Sequence, residues 1–269
     1  LLAAAGLARA ETICPPGGEG AAGPLAGGKP AYFPADFGAI PEACPVRDLT
    51  LRLRGGLIFA PGMPDYFGSI AADAMLRARH PVGAWGWLSL ALDVVDFRYI
   101  NNGGLASTGF AFGPATLGFY RTVYATPSGT AAAYGRALLP IDTARQNGVE
   151  TGLELGGTVR ARLGPRVVAD GGLALTAPLD VVGGQLHGRL EPVLLAEAWL
   201  ALGPALSAGA GAAAKLEVAP SASFITAVPR LSARWALPRR FWLALLLELP
   251  VVGTDRTDFV GSLFAGLSL

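Results

Sequence analysis

Val149-Glu150-Thr151-Gly152-Leu153-Glu154-Leu155-Gly156-Gly157-Thr158-Val159-Arg160-Ala161-Arg162-Leu163 alternates with a period of two. In an extended chain successive side chains point to opposite faces. Leu153, Leu155, Val159, Ala161 and Leu163 therefore share one side, and Glu150, Glu154, Thr158, Arg160 and Arg162 the other. One side suits hydrocarbon and the other a polar interior. The parity returns at 240–249, where Phe241, Leu243, Leu245, Leu247 and Leu249 oppose Arg240 and Glu248. It returns again where Leu49, Leu51 and Leu53 oppose Asp48, Thr50, Arg52 and Arg54. From Leu206 to Val218 the apolar face is weaker, with alanines between Leu206 and Leu216 opposing Ser207, Gly209, Gly211, Lys215 and Glu217. That stretch also spells Gly209-x-Gly211-x-x-Ala214, but no βαβ unit surrounds it, and the Ala/Gly alternation accounts for it without a dinucleotide cofactor. No cofactor is expected.

Working outward, short proline-bearing turns at His80-Pro81-Val82, Thr126-Pro127-Ser128-Gly129, Gly164-Pro165-Arg166, Gly203-Pro204-Ala205 and Leu237-Pro238-Arg239 alternate with longer connections such as 101–114 and 177–189. Tight turns at one end and longer loops at the other are the pattern of a closed barrel crossing a bilayer. The chain is 52% hydrophobic and 15% charged, yet no apolar run is long enough for a membrane-spanning helix, and 37 glycines and 21 prolines favour many short strands. Twelve strands are expected, at 47–59, 66–79, 83–99, 115–125, 130–141, 149–163, 166–176, 190–202, 205–217, 222–236, 240–249 and 257–269. The second competes with an amphipathic helix over 69–79, and Pro192 and Pro229 are expected to mark bulges. The fold class is all-β: a closed antiparallel transmembrane barrel of about 12 strands (10–14) over 46–269, preceded by an irregular Pro/Gly-rich extension over 11–45 and a residual signal peptide over 1–10. A soluble, exported β-rich protein, lipid-binding for instance, is the runner-up, but it should carry more polar outward faces.

The final stretch, Asp258-Phe259-Val260-Gly261-Ser262-Leu263-Phe264-Ala265-Gly266-Leu267-Ser268-Leu269, resembles the C-terminal strand of Gram-negative outer-membrane β-barrels, with Phe259, Leu263, Ala265, Leu267 and Leu269 on one face. The family usually ends on phenylalanine; this chain has Leu269. The resemblance, which covers roughly 46–269 in pattern and names no subfamily, implies an integral protein of the bacterial outer membrane with its N-terminus periplasmic. It also implies outer-membrane lipids as surroundings and recognition of the last strand by the barrel-assembly machinery. Trp85, Trp87, Phe97, Tyr99, Phe119, Tyr120, Tyr124, Trp199, Trp235, Phe241 and Trp242 lie mainly near strand ends, where an interfacial girdle would place them.

Residues 1–10 read as the end of an export signal, with the small-x-small pattern Ala8-Arg9-Ala10 predicting cleavage before Glu11. Cys14 and Cys44, the only cysteines, bracket the Pro/Gly-rich segment; in an exported chain they are expected to form a disulfide, the alternative being two unpaired thiols. Closing that loop would stabilise the segment by ~3–4 kcal/mol in the chain-entropy model.

The formal net charge of +1 falls to zero without Arg9, and the nineteen arginines are scattered along alternating strands, so no nucleic-acid partner is indicated. His80 and His187 have no serine signature beside them, Gly-x-Ser-x-Gly is missing and metal-ligand spacing does not occur, which argues against an enzyme. What remains is an inward polar set: Arg52, Arg54, Arg136, Glu150, Glu154, Arg160, Arg162, Arg166, Asp170, Glu191, Glu197, Lys215, Glu217, Arg230, Arg234, Glu248 and Asp258. Such a set lines either a small channel for ions or polar solutes, or a sealed structural or surface-interaction barrel blocked by salt bridges or by 11–45. No motif indicates the oligomeric state.

Overall fold

The structure is a computed structural model that describes residues 23–24, 30–31, 43–45, 47–60, 67–83, 86–102, 105–111, 115–140, 150–182, 185–218, 223–249, 251 and 259–269. Twelve strands form its body: Asp48–Ala60 (β1), Phe67–Pro81 (β2), Trp87–Asn102 (β3), Ala115–Ala125 (β4), Gly129–Leu139 (β5), Glu150–Gly164 (β6), Val167–Val182 (β7), Glu191–Ala201 (β8), Leu206–Val218 (β9), Ser223–Ala236 (β10), Phe241–Glu248 (β11) and Phe259–Ser268 (β12). Each pairs antiparallel with its neighbours in sequence. The last pairs with the first, from Phe259↔Leu57 to Ser268↔Asp48, so the twelve strands close on themselves and leave no free edge among them. All twelve expected strands are present. The segment that competes as a helix is β2, which pairs along its length with β1 and β3; no described helix is long and apolar enough to cross a membrane.

Two pieces of strand lie where long loops are expected. Leu105–Ala111 pairs with the upper half of β3 and carries the line of β4 upward, since Asp96↔Ala111 is followed by Leu92↔Ala115. Gln185–Gly188 does the same for β8 against the extended end of β7. Both runs alternate weakly, which hides them in the sequence. Ladder irregularities fall at Ala74/Met75, Thr122/Tyr124 and Val167/Val168. Pro192 and Pro229 do not mark bulges: they sit in register opposite Leu175 and Ala212, each where pairing to the other neighbouring strand begins. A proline there gives up no ladder bond on that second side.

The short-turn end holds residues 82–83 and 86, 126–128, 165–166, 202–205 and 237–240, together with both ends of the barrel segment, where the Leu269 amide donates to the Arg47 carbonyl at 2.9 Å. Gly86 is required in its turn. Its φ of +129° is disfavoured for side chains, and a Cβ would collide with the Tyr120 carbonyl.

Inside and outside are inverted relative to a soluble protein. On β6, Leu153, Leu155, Val159 and Leu163 are 55–68% exposed, while Thr158 and Arg160 are only 4% and 3% exposed. The apolar face therefore looks outward all round the wall, and it needs a hydrocarbon solvent to be stable.

Candidate channel lumen

Strand parity decides what enters the lumen, and cross-strand register decides what each inward group meets. Arg160 on β6 stands opposite Asp170 on β7 and donates to it through two nitrogens, at 2.6 and 2.7 Å. Arg136 on β5 stands opposite Glu154 on β6 and donates its Nε at 3.0 Å; Glu154 also accepts from Thr176 at 3.0 Å. Glu191 on β8 receives Arg189 at 2.7 Å and Lys215 of β9 at 2.8 Å, with Glu217 at 3.8 and 3.9 Å from the same two cations. Buried Glu197 accepts from Ser232 at 3.1 Å. These pairs make a ladder of matched charge along β5–β9.

Ion pairs continue on the remaining strands. Arg52 on β1 and Asp93 on β3 are 3.8 Å apart, and Arg230 on β10 and Glu248 on β11 are 3.3 Å apart. Arg79 on β2 grips the fully buried Asp48 of β1 through Nε at 2.7 Å and a second short contact. A cavity of about 340 Å³ opens beside these strands, lined by Arg52, Arg54, Arg77, Arg79, Arg136 and Arg230, and by two carboxylates, Asp93 and Glu248.

Aromatic side chains fill the lumen toward the short-turn end. Trp87 stacks on Tyr120 with centroids 5.3 Å apart, and Tyr120 meets Tyr134 at 5.5 Å. Trp199, Trp242 and Phe264 pack with Val168, Ala201, Ala244 and Leu246. The guanidinium of buried Arg234 lies 3.6 Å over the Trp242 ring, a cation–π contact. Trp242 fits because Gly266 faces it across the ladder; a Cβ at 266 would run into the indole. Ala43 and Cys44 enter the same space. Both are buried, the Ala43 carbonyl accepts from Thr130 at 3.4 Å, and Arg160 approaches the Cys44 Sγ at 3.9 Å. Thr130 and Arg160 belong to β5 and β6, on the far side of the barrel from β1, so the chain crosses the mouth just before it enters β1.

Of the residues expected to line the lumen, Arg52, Arg54, Arg136, Glu154, Arg160, Arg162, Asp170, Glu191, Glu197, Lys215, Glu217, Arg230, Arg234 and Glu248 take inward strand positions. Arg166 differs: it is exposed in the turn between β6 and β7. Glu150 stands opposite Asp180 at the loop end of β6. Asp258, Cys14 and residues 1–10 lie outside the described residues. The expectation omits Asp93 of β3, and it omits Arg77 and Arg79 because β2 reads ambiguously; the signal for β2 is Met75, Arg77 and Arg79 alternating with Leu76, Ala78 and His80. The aromatic girdle is also corrected. Phe119, Tyr124, Trp235 and Phe241 are exposed on the wall, but Trp87, Tyr120, Trp199 and Trp242 are buried in the lumen. His80 and His187 are both exposed, and the described residues contain no group of three or more metal-ligating side chains.

The barrel superposes on the COG4313 outer membrane channel from Pseudomonas putida F1 with a TM-score of 0.67 at 13% identity, over 88% of this chain and 99% of that one. This is an outer-membrane β-barrel fold. The outer-membrane barrel also superposes on the translocator domain of the autotransporter NalP from Neisseria meningitidis, with a TM-score of 0.57 at 11% identity, over 87% of this chain and 91% of that one. No protein-family model matches the sequence, and no curated protein matches it significantly. Identities this low carry the architecture and leave the role of the lumen to its own side chains.

Proposed function

We propose that the chain is an integral outer-membrane channel for ions or small polar solutes, with its short turns and N-terminus on the periplasmic side. The observation that carries this reading is the charged cavity inside an apolar-walled barrel: ionisable groups that line an aqueous lumen select solutes by charge. Planar-bilayer recording of the full chain, after a heat-modifiability gel has established folding, tests it. Discrete conductance steps with a measurable reversal potential are expected, and a folded but silent barrel would overturn the channel reading.

One observation favours a second reading, a sealed structural or surface-interaction barrel: Ala43 and Cys44 occupy the short-turn mouth together with three buried tryptophans. On the channel reading that segment is a plug, and deleting residues 11–45 raises conductance. An unchanged, silent barrel after deletion places the block in the side chains instead. The Cys14–Cys44 disulfide would tether the plug, and maleimide labelling with and without reductant counts the thiols. Removal of the last strand is expected to abolish assembly in cells through loss of recognition by the barrel-assembly machinery.

A further inference from the structure

Outside the lumen, charge is distributed unevenly between the two ends of the barrel. Five arginines are exposed at the short-turn end: Arg47 just before β1, Arg121 on β4, Arg166 between β6 and β7, and Arg239 and Arg240 between β10 and β11. None of the five is held by a carboxylate among the described residues. The acidic side chains described near that end, Asp48, Asp170 and Glu197, belong to the lumen, the first two gripped by Arg79 and Arg160. No described turn or outward strand position there carries Asp or Glu. The connections 61–66, 140–149 and 249–258 at the opposite end carry Asp65, Asp142, Asp255 and Asp258 against Arg145 and Arg256.

Three of the five positions are costly for the residue they hold. Arg121 shares the outward parity of Leu117 and Phe119 and stands opposite Ala133, so its charge emerges on the wall that faces hydrocarbon. A lipid-facing guanidinium is strongly disfavoured at the bilayer midplane and tolerated near the headgroups, where its long stem lets the charge reach phosphate. Exposed Tyr124, Trp235 and Phe241 at the same end place the interfacial belt at that level. Arg239 and Arg240 hold φ of +60° and +67°, in the left-handed region that glycine and asparagine fill at least cost. Arginine in both positions gives up backbone ease and gains two exposed charges beside Phe241.

We propose that this rim of exposed arginines binds the phosphate groups of anionic phospholipids in the leaflet where the short turns sit. Guanidinium forks match phosphate oxygens. The arginines are spread around the circumference, from β1 through β4 and the β6–β7 turn to the β10–β11 turn, as a shell of surrounding lipid is. An acidic soluble protein docked beneath the turns would not meet Arg121 on the hydrocarbon-facing wall. The inference does not depend on conduction.

The test uses the full chain reconstituted in dioleoylphosphatidylcholine bilayers with trace spin-labelled phosphatidylglycerol or spin-labelled phosphatidylcholine. Electron spin resonance compares the fractions held at the protein surface, at low salt and in about 1 M sodium chloride. Phosphatidylglycerol is expected to be preferred roughly threefold or more at low salt, and the preference to collapse at high salt. Arg47→Gln, Arg121→Gln, Arg166→Gln, Arg239→Asn and Arg240→Asn together should bring the ratio to about one, asparagine being suited to the left-handed backbone. Arg162→Gln, on the inward face of β6, leaves it unchanged. If the fivefold variant fails the heat-modifiability check, the pair Arg239→Asn and Arg240→Asn, confined to one turn, carries the comparison and should lower the ratio by about a third. The rim site is overturned if the preference survives high salt, or if a folded variant lacking the arginines keeps it. Equal retention of the two lipids by the parent also removes it and leaves the arginines to an acidic soluble partner. A barrel that is silent in bilayer recordings yet prefers phosphatidylglycerol removes the channel and keeps the rim site.

Discussion

The two walls of the lumen are built from the same residue types and behave differently. Along β5–β9 the carboxylates meet cations or hydroxyls across the ladder: Arg160 faces Asp170, Arg136 faces Glu154, and Glu191 sits between Arg189 and Lys215. On the opposite wall Arg52 faces Met75 and Phe264, and Arg77 faces Thr50 and Ala91. Register sets which charges meet directly: on the first wall opposite charges face each other on adjacent strands, whereas on the second Arg52 of β1 reaches Asp93 of β3, two strands away. Cross-strand pairs are the unit of sheet energetics, so a wall whose charges coincide in register is a structural element.

The largest expected effect is on selectivity. Reversing Arg52 and Arg77 to glutamate changes the charge of the hollow by four and should move the reversal potential from anion-favouring to cation-favouring. The same reversal at Arg160 and Arg162 should also move it toward cations, but less, because Arg160 is already spent on Asp170. Equal shifts for the two doubles would erase the distinction between the walls.

Stability should differ in the opposite sense. Asp170→Ala leaves Arg160, 3% exposed, without its two-point acceptor, and should destabilise the barrel by about 3–4 kcal/mol in urea unfolding from vesicles. Gly266→Ala, which forces Trp242 out of its seat, should cost about 1–3 kcal/mol. Gly157→Ala, where the nearest atom to a new Cβ is 3.6 Å away, serves as its control on the β6 wall. The smallest effect belongs to Asp93→Ala. Its partner Arg52 is 3.8 Å away and both are partly hydrated, so the loss should be ~0–1 kcal/mol. A loss at Asp93 as large as at Asp170 would show that the second wall is held by its ion pairs after all.

Much of this architecture is legible in the order of residues alone. Alternation in 149–163 and 240–249 assigns the strands their faces, and the proline turns mark their ends. Arg77 and Arg79 are harder, since Ser69–Arg79 satisfies a helical period as well as an extended one, and only pairing with β1 and β3 decides between them. The buried tryptophans are readable by parity: Trp242 alternates with Phe241 and Leu243, and Trp199 shares its face with Glu197. The girdle expectation gives position near a strand end more weight than that parity, and parity wins. Which charges coincide across the ladder is not readable, because it depends on the relative shift of neighbouring strands. Segments with weak alternation, such as 105–111, leave that shift unmarked.

One seam sets the tempo of assembly. Eleven of the twelve pairings join strands that follow one another along the chain, so they can zip as hairpins; the pairing of β12 with β1 joins Ser268 to Asp48. Closing so large a loop costs ~3 kcal/mol more chain entropy than closing a ten-residue one. Non-local pairings of this kind are slow to form. Until it zips, the sheet has two bare edges, at β1 and at β12. Once zipped, the same seam works as a latch: a wall with no loose strand can come apart only by breaking a whole row of hydrogen bonds at once, and this makes the barrel long-lived.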